Sequence, residues 1–349
     1  MHFKYALVGC GVFGEHHIMA LTKMDNVTIV ALCDKHLESA QTLKEKYNLT
    51  EAACFDDYNK MLDGLDADIV TIATADQAHR GATVAALNKN FNVLCEKPMA
   101  LLMDDCKAML DAEKNSKGKL MVGQVCRFTP SFVKAKELVE EGVIGDLYFV
   151  ESEYAHDYSK IPGVDNWRMD PDRQPVIGGA CHAIDLLRWI AGDPIETTAY
   201  SSHKMLQDWP IPDTTISIMK FPNGVVGKVL ASIGCKRDYT MRTCLYGTKG
   251  TIIVDNTSPY FTLYVDHTED GVELPAELKD EQSFTYPHRI PIEVNNHNLH
   301  HEQMEMQAIV RDGKEILTTG REGAKTVAVC SAVVKSAATG KPVEIDYNF

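Results

Sequence analysis

The stretch Tyr5-Ala6-Leu7-Val8-Gly9-Cys10-Gly11-Val12-Phe13-Gly14 decides the fold of the first part of this chain. A short apolar run that ends in a G-x-G-x-x-G pattern predicts a buried strand, a tight turn and a helix that begins at a phosphate group. Gly9 permits the turn, Gly11 lets the backbone approach a pyrophosphate, and Gly14 lets the helix pack closely on the strand. We expect Val12 and Phe13 to lie at the helix N-terminus, whose unpaired N–H groups attract phosphate charge. A structural turn that binds no phosphate is the alternative.

A second predicted strand ends in Asp34, twenty residues after Gly14. A carboxylate at this place accepts hydrogen bonds from the ribose hydroxyls and repels a 2′-phosphate. The sequence therefore predicts NAD rather than NADP as the cofactor. Lys35 and His36 weaken that preference slightly, because a cation beside Asp34 tolerates the phosphate.

Strand-like and helix-like segments alternate over the first third of the chain, which predicts a doubly wound parallel sheet of the Rossmann type. The ligand of such a sheet lies at the carboxyl ends of its strands. We expect an NAD-binding domain over residues 1–125. Its predicted strands are Tyr5–Val8, Thr28–Leu32, Asp68–Ala73, Asn92–Cys95 and Leu120–Val125, and its clearest helices are Leu37–Tyr47, His79–Asn90 and Met103–Asn115.

The pattern changes after Arg127, and residues 126–349 predict an α+β domain with a large, open, mostly antiparallel sheet. A polar, proline-rich stretch covers residues 156–175, and Gly178-Gly179 precedes an apolar helix, Ala180–Ala191. The predicted strands of this second domain are Leu147–Tyr154, Thr214–Lys220, Val225–Ser232, Met241–Tyr246, Thr251–Val254, Phe261–Val265 and Val343–Asp346, and its remaining helices are Ser131–Glu141, Leu299–Arg311 and Arg321–Ala338.

Composition excludes several classes of partner. The chain has 349 residues and a formal net charge of −14, which argues against binding to nucleic acid or to an anionic membrane. No apolar run approaches the ~20 residues that a membrane span needs, and the first residues show no secretory leader. The ten cysteines form no C-x-x-C pattern, so we expect free thiols and a reducing, cytoplasmic location.

Several further motifs follow the glycine loop in a fixed order. They are His17, Thr74-Ala75-Asp76-Gln77-Ala78-His79, Glu96-Lys97-Pro98, Arg127-Phe128, Trp167-Arg168 and Gly178-Gly179-Ala180-Cys181-His182-Ala183-Ile184-Asp185. Together with Asp34 this set resembles the glucose–fructose oxidoreductase / inositol dehydrogenase (Gfo/Idh/MocA) family over nearly the whole chain. The resemblance implies an NAD-dependent oxidoreductase that acts on secondary alcohols of sugars or cyclitols and forms homodimers or homotetramers.

The resemblance also implies the residues of the site. Lys97 and His182 are the expected catalytic residues, and the Lys97–Pro98 bond is a candidate for the cis form. The positive end of the helix dipole would keep His182 neutral and able to accept a proton. The expected cofactor contacts are Gly9, Gly11, Val12, Phe13, Gly14, Asp34, Lys35, Thr74, Ala75, His79, Glu96 and Lys97.

The substrate contacts are less sharply indicated, since an ordinary polar surface loop explains any one of them equally well. Asp185 would orient the ring of His182 or merely cap its helical turn. Similar enzymes often carry Asp or Asn four residues before the histidine, where this chain has Gly178, so the acid comes from elsewhere or is not needed. The expected substrate residues are Arg127, Tyr154, His156, Trp167, Arg168 and Asp185, with Asp157 and Tyr158 as further candidates.

No metal site is predicted. The cluster His297, His300, His301 and Glu302 lacks the H-E-x-x-H order, so a solvated or intersubunit surface is the better interpretation.

Three functions remain open at this point. The first is an NAD-dependent dehydrogenase of a sugar, glycoside or cyclitol hydroxyl. The second is a glycosidase or lyase that keeps NAD bound and works through a transient keto-sugar, for which Gly178 and the polar loop leave room. The third is a non-enzymatic NAD-binding sensor or scaffold.

Overall fold

The computed structural model describes residues 1–266 and 285–349. Residues before 124 form a six-stranded parallel sheet with helices on both faces. Its strands are β1 (Phe3–Val8), β2 (Val27–Cys33), β3 (Ala53–Phe55), β4 (Ile69–Ile72), β5 (Asn92–Glu96) and β6 (Leu120–Gly123). Its helices are α1 (Val12–Leu21), α2 (Leu37–Lys46), α3 (Tyr58–Leu62), α4 (His79–Asn88) and α5 (Met103–Lys114).

The strand order β3-β2-β1-β4-β5-β6 reverses direction between β1 and β4, and the crevice at that reversal is where such sheets bind their ligands. Every residue of β4 and β6 is buried, because helices cover both faces of a parallel sheet. This arrangement confirms the predicted Rossmann fold. The sequence did not predict β3, whose three residues are too few to show a periodic pattern.

The second half of the chain forms a nine-stranded sheet. Its helices are α6 (Pro130–Glu140), α7 (Pro175–Gly178), α8 (Cys181–Ala191), α9 (Leu299–Asp312) and α10 (Gly320–Thr339). Its strands are β7 (Leu147–Ala155), β8 (Glu196–Ser202), β9 (Thr214–Lys220), β10 (Val226–Ser232), β11 (Thr243–Gly247), β12 (Gly250–Val254), β13 (Tyr260–Asp266), β14 (Thr285–Pro291) and β15 (Val343–Glu344).

The strand order is β14-β13-β12-β11-β7-β10-β9-β8-β15, and among these pairs β7 and β10 run parallel while the others are antiparallel. The predicted open, mostly antiparallel sheet is therefore confirmed. The sequence did not predict β14, because Pro287 and Pro291 interrupt the run. Proline is tolerated there since β14 is an edge strand.

Helices α9 and α10 return to the six-stranded sheet. Met306 and Ile309 of α9 pack in one core with Tyr5 of β1, and Val327 of α10 packs in another with Val93 of β5. The edge strand β6 is also extended by the chain before α10, where the N–H of Val122 donates to the carbonyl of Thr318 at 2.8 Å. Segments after residue 300 thus complete the core of the first unit, and the division at residue 125 remains a prediction.

Two further expectations bear on the environment of the protein. All ten cysteines are free, and most of them are buried, as predicted. Over the described part of the chain, none of the helices combines the length and the apolar character needed to span a bilayer.

Candidate active site

A cleft of about 370 Å³ opens at the carboxyl ends of β1, β2, β4 and β5, between the six-stranded sheet and the second half of the chain. The structure brings most of the predicted site residues to this cleft, while Gly14, Arg127 and Asp185 do not line it. The predicted residues that do are Gly9, Gly11, Val12, Phe13, Asp34, Lys35, Thr74, Ala75, His79, Glu96, Lys97, Tyr154, His156, Trp167, Arg168 and His182.

The glycine loop has the geometry that a dinucleotide requires. Gly9 has φ 98°, and a Cβ there would overlap the carbonyl oxygen of Ala73. A Cβ on Gly14 would overlap the carbonyl oxygen of Gly9, so close packing of α1 on the turn depends on both glycines. Gly11 faces open space and is the N-cap of α1 without a side-chain cap, which leaves N–H groups of the first turn available. These residues fit a bound pyrophosphate.

Asp34 stands at the end of β2 and holds the same loop. Its carboxylate accepts hydrogen bonds from the backbone N–H groups of Cys10, at 2.8 Å, and His36, at 2.9 Å. A carboxylate has about four acceptor positions, so two remain for ribose hydroxyls. The side chains of Lys35 and His36 meet Asp165 from the opposite wall, at 2.6 and 3.4 Å. The two cations beside Asp34 therefore have an acidic partner of their own.

Lys97 follows directly on β5. Its backbone N–H donates to Oε2 of Glu96 at 3.1 Å, and the Lys97–Pro98 bond is cis, as predicted. Its Nζ lies 5.5 Å from the ring centre of Phe13. Burial disfavours the ammonium, but Cys181, Glu96 and Asp76 together raise the pKa of Lys97 above its usual 10.5. Lys97 is therefore a cation at neutral pH, suited to stabilise negative charge on an oxygen atom.

His182 lies in the first turn of α8, at the bottom of the same cleft. Burial, together with the charges of Lys97 and His297, lowers the pKa of His182 well below 6.5. Its Nδ1 lies 3.4 Å from Sγ of Cys126, and its ring stacks on those of Tyr154 and His297 at 6.2 and 5.9 Å between centres. Nε2 is therefore the nitrogen left to exchange a proton with a ligand, and the ring is neutral at neutral pH.

An aromatic wall closes the side of the cleft opposite the sheet. The hydroxyl groups of Tyr154 and Tyr158 are 2.8 Å apart, and His156 lies beside Tyr239 with 4.8 Å between ring centres. Burial lowers the pKa of His156 below 6.5, so the ring of His156 is neutral at neutral pH. The half-buried Trp167 and Arg168 continue it, with the guanidinium of Arg168 4.4 Å from the centre of the Trp167 ring.

Several residues of the cleft were missed by sequence reasoning. Tyr239 and Arg173 lie in irregular segments and belong to no motif. The interpretation of His297, His300, His301 and Glu302 as a solvated or intersubunit surface is wrong for two of them. His297 lines the cleft and Glu302 is wholly buried, whereas His301 is exposed. Burial of that helix face was the available signal, since Leu299, Met306 and Ile309 of α9 are all apolar and buried. The cleft residues that the sequence prediction did not assign to the site are His16, Ser39, Ala73, Asp76, Ile161, Gly163, Val164, Arg173, Tyr239 and His297.

Arg127 and Asp185 differ from the expectation that they contact the substrate. Nε and Nη2 of Arg127 donate to the two oxygens of Asp185 at 2.9 and 2.8 Å, and both side chains are buried outside the cleft. Asp185 also accepts from Gln124 at 2.7 Å and from Thr326 at 3.0 Å. It makes no hydrogen bond to His182 and does not cap the turn. Its carboxylate instead joins helices that come from distant parts of the chain.

The side chain of Arg173 fills the space beside Gly178. A Cβ on Gly178 would overlap the guanidinium of Arg173. Nη2 of Arg173 donates to the carbonyl of Gly178 at 3.0 Å, and its Nε donates to Asp76 at 2.7 Å. The guanidinium of Arg173 therefore occupies the space that a side chain at position 178 would enter, and it is paired with Asp76, another residue of the cleft.

Comparisons with known proteins agree with this architecture. Residues 3–124 match the family model described as "Oxidoreductase family, NAD-binding Rossmann fold", and residues 132–253 match the "GFO/IDH/MocA C-terminal domain". The chain is 28% identical to inositol 2-dehydrogenase of Salmonella typhimurium over 253 residues, covering 72% of this chain and 73% of that protein. It is 26% identical to D-apiose dehydrogenase of Paraburkholderia graminis over 98% of this chain and 90% of that one.

The fold also matches solved structures. A levoglucosan dehydrogenase in complex with NADH superposes with a TM-score of 0.88 and 21% identity, covering 99% of this chain and 100% of that one. The two family models together cover more than half of the sequence. The chain belongs to the GFO/IDH/MocA family of oxidoreductases and has its NAD-binding Rossmann fold, which confirms the resemblance, the enzyme class and the cofactor predicted from the sequence.

Proposed function

We propose that this protein is an NAD-dependent dehydrogenase of a ring hydroxyl in a sugar, glycoside or cyclitol. The observation that carries the proposal is the pairing of a charged Lys97 and a neutral His182 in one cleft, beside a loop built for a dinucleotide. The names of the relatives support the substrate class, since they include inositol and apiose dehydrogenases.

The two side chains have complementary tasks. NAD, when bound, supplies the acceptor of the hydride that leaves the carbinol carbon. The ammonium of Lys97 donates a hydrogen bond to the substrate oxygen and stabilises the negative charge that develops on it. His182 accepts the hydroxyl proton through Nε2, and a neutral imidazole is needed for that step. In the reverse direction the same nitrogen returns the proton.

The remaining walls suit a carbohydrate. Tyr154, Tyr239 and Trp167 offer flat apolar faces to the carbon side of a ring, and His156 and Arg168 offer hydrogen bonds to its hydroxyls. The cofactor would be held by the glycine loop and Asp34, with Thr74, Ala75 and His79 beside it.

A sugar and cyclitol panel tests this proposal. Purified protein is first assayed for bound NAD(H), and each compound is then followed by NADH absorbance and by mass spectrometry. We expect NADH formation with an oxidised product two mass units lighter, and we expect Lys97→Met and His182→Asn each to lower kcat/KM by about 10²–10⁴-fold. Trp189→Phe serves as a control, because Trp189 lies outside the cleft. Near wild-type turnover of Lys97→Met would refute the assignment.

The same panel separates the two alternatives. Release of an aglycone without accumulation of NADH would indicate the redox-cycling glycosidase or lyase, and NAD binding without turnover would indicate the sensor. The side chain of Arg173 lies in the space beside Gly178, and this supports the dehydrogenase over the first of these alternatives.

We also propose that the protein is a homodimer or homotetramer. The outer face of the nine-stranded sheet exposes a row of apolar side chains, and exposed apolar patches of this kind mark protein interfaces. The row includes Tyr200, Ile216, Ile218 and Val226. Light scattering after size-exclusion chromatography measures the assembly, and Ile218→Lys should shift it towards the monomer.

A further inference from the structure

A buried cluster of three titratable side chains lies behind Lys97. His17 comes from α1, Glu96 from the end of β5 and Glu302 from α9, and one ligand-type atom of each lies within 4.8 Å of the other two. Their exposed fractions are 0%, 5% and 0%. The assigned roles of the cleft residues leave this cluster unexplained.

Two members of the cluster have hydrogen-bond partners and one has none. Nε2 of His17 lies 2.9 Å from Oε1 of Glu96, and Nδ1 of His17 lies 2.9 Å from Nε2 of Gln303. Glu96 also accepts from the backbone N–H of Lys97. Both oxygens of Glu302 lack a partner in the described structure. A buried, unpaired carboxylate costs more free energy than its protonated form.

The positive charge near Glu302 is too small to offset the negative charge that an ionised Glu302 would add. The titratable groups that face it are His17 on α1, Glu96 and Lys97 at β5, and Cys126 in the segment that follows β6. Lys97 is the cation that acts on Glu302, and it already faces Glu96. Burial raises the pKa of the Cys126 thiol well above 9, so this thiol is uncharged at neutral pH. Two carboxylates therefore share one ammonium.

We propose that Glu302 carries a proton at neutral pH, so that Glu96 and Glu302 together present a single negative charge to Lys97. Glu302 is then a positioning residue that acts on the site through Glu96. Burial and the neighbouring Glu96 both raise the pKa of Glu302 well above 4.5, in agreement with this assignment. The protonation of Glu302 does not depend on any substrate, but its bearing on Lys97 rests on the proposed function.

The same three residues suggest a metal ion as the rival compensating charge. Against a metal, both nitrogens of His17 are already engaged, and Glu96 already has the positive charge of Lys97 acting on it. The cluster also offers three protein residues, one fewer than the four that a closed structural Zn²⁺ site uses.

The pH dependence of the free energy of unfolding tests whether Glu302 is protonated. A raised pKa in the folded state means that folded Glu302 keeps a proton that the unfolded chain releases above pH 4.5. Stability from this group is fully present below that pH and is lost as pH rises towards the folded pKa, by about tenfold in the unfolding equilibrium constant per pH unit. Glu302→Gln keeps the size of the side chain and should remove this slope between pH 5 and 7.

The matched control is Glu305→Gln on the same helix, where the carboxylate forms an ion pair with Lys314 at 2.6 Å. This variant should keep the wild-type slope. An unchanged slope in Glu302→Gln would overturn the proposal, whether or not the enzyme assays find a substrate.

Infrared spectroscopy gives an independent readout. The wild-type protein at neutral pH should show the C=O band of a protonated carboxylic acid, which Glu302→Gln should lose and Glu305→Gln should keep. If Glu302→Gln does not fold, Glu302→Asp should shift that band. A wild-type spectrum without a carboxylic acid C=O band would refute the protonation of Glu302. Elemental analysis that finds one equivalent of a divalent metal in the wild type and none in Glu302→Gln would show that a cation takes the proton's place.

Discussion

The choice between two forms of the cofactor depends on a few charged side chains around Asp34. The carboxylate of Asp34 is oriented by two backbone N–H groups, and a carboxylate at the end of the second strand of this fold repels a 2′-phosphate. The adjacent Lys35 and His36 would attract that phosphate, but both contact Asp165. Asp165 thus offsets the two cations beside Asp34, and this balance favours NAD.

Removing the second carboxylate should shift the preference. In Asp165→Asn, Lys35 and His36 are released to meet a phosphate, and we expect the ratio of kcat/KM for NADP to that for NAD to rise about three- to tenfold, as for the loss of an exposed ion pair of ~1 kcal/mol. Asp172→Asn, an exposed change in the same segment, should leave the ratio as it is. Equal ratios in the wild type and Asp165→Asn would show that the ion pair has no part in selection.

His79 connects the loop after β4 to the segment after β5 through two hydrogen bonds. Its Nδ1 lies 2.8 Å from the carbonyl oxygen of Pro98, and its Nε2 lies 3.2 Å from that of Thr74. A carbonyl oxygen only accepts, so both ring nitrogens donate and the ring is a cation. Burial opposes this charge, but Cys95, Asp76 and the Pro98 carbonyl raise the pKa of His79 to about 9. The cofactor loop is therefore held by a buried imidazolium.

This charge predicts a loss of stability in alkali. The folded pKa lies above the unfolded 6.5, so the contribution of His79 is complete below pH 6.5 and disappears as pH rises through about 9. The loss should be about 3 kcal/mol at 1.36 kcal/mol per pH unit. Denaturant unfolding at pH 6, 7, 8 and 9 measures it, and His79→Gln should flatten the curve relative to both wild type and the exposed-site control His2→Gln. A curve of wild-type steepness in His79→Gln would contradict a charged His79.

The elements that could be predicted from sequence are those with long, regular patterns. The parallel strands, the long helices and the motif residues Lys97 and His182 follow from apolar runs and from residues at the ends of strands. By contrast, β3 is too short to show a periodic apolar pattern, and prolines interrupt the pattern of β14. Tyr239, His297 and Arg173 reach the cleft from irregular segments, and only tertiary packing brings them there. Arg127 and Asp185 look like site residues in the sequence because an ion pair inside a core uses the same residue types as a sugar site.

A buried ion-pair network joins three segments that are far apart in the sequence. Arg127 follows the six-stranded sheet, Asp185 and Arg188 belong to α8, and Glu322 belongs to α10. Arg127 contacts Asp185 at 2.8 Å and Glu322 at 3.0 Å, while Arg188 contacts Glu322 at 3.2 Å. Asp193 also contacts Arg188, at 2.7 Å, but Asp185 is the most deeply buried acid of the network, and without it Arg127 keeps Glu322 as its acidic partner.

Asp185→Asn should therefore destabilise the fold by about 3–5 kcal/mol, because the buried Arg127 loses the carboxylate that accepts two of its hydrogen bonds. Because Asp185 lies outside the cleft, KM for the sugar should change by less than about twofold. Denaturant unfolding and steady-state kinetics measure the two effects. Asp193→Asn, at a half-exposed partner of Arg188, should cost much less. A large rise in KM with little loss of stability would return Asp185 to the substrate-binding residues.

The return of α9 and α10 to the first sheet has a consequence during synthesis. The strands of that sheet are complete once residue 123 has been made, yet Met306, Ile309 and Val327, which cover them, follow as many as 204 residues later. At about 5–20 residues per second, the ribosome delivers that covering only after roughly 10–40 s. The nascent chain thus carries apolar surface and an unpaired edge at β6 until translation is nearly finished. Its nucleotide-binding half cannot mature ahead of the rest, and chaperones have a long interval in which to bind it.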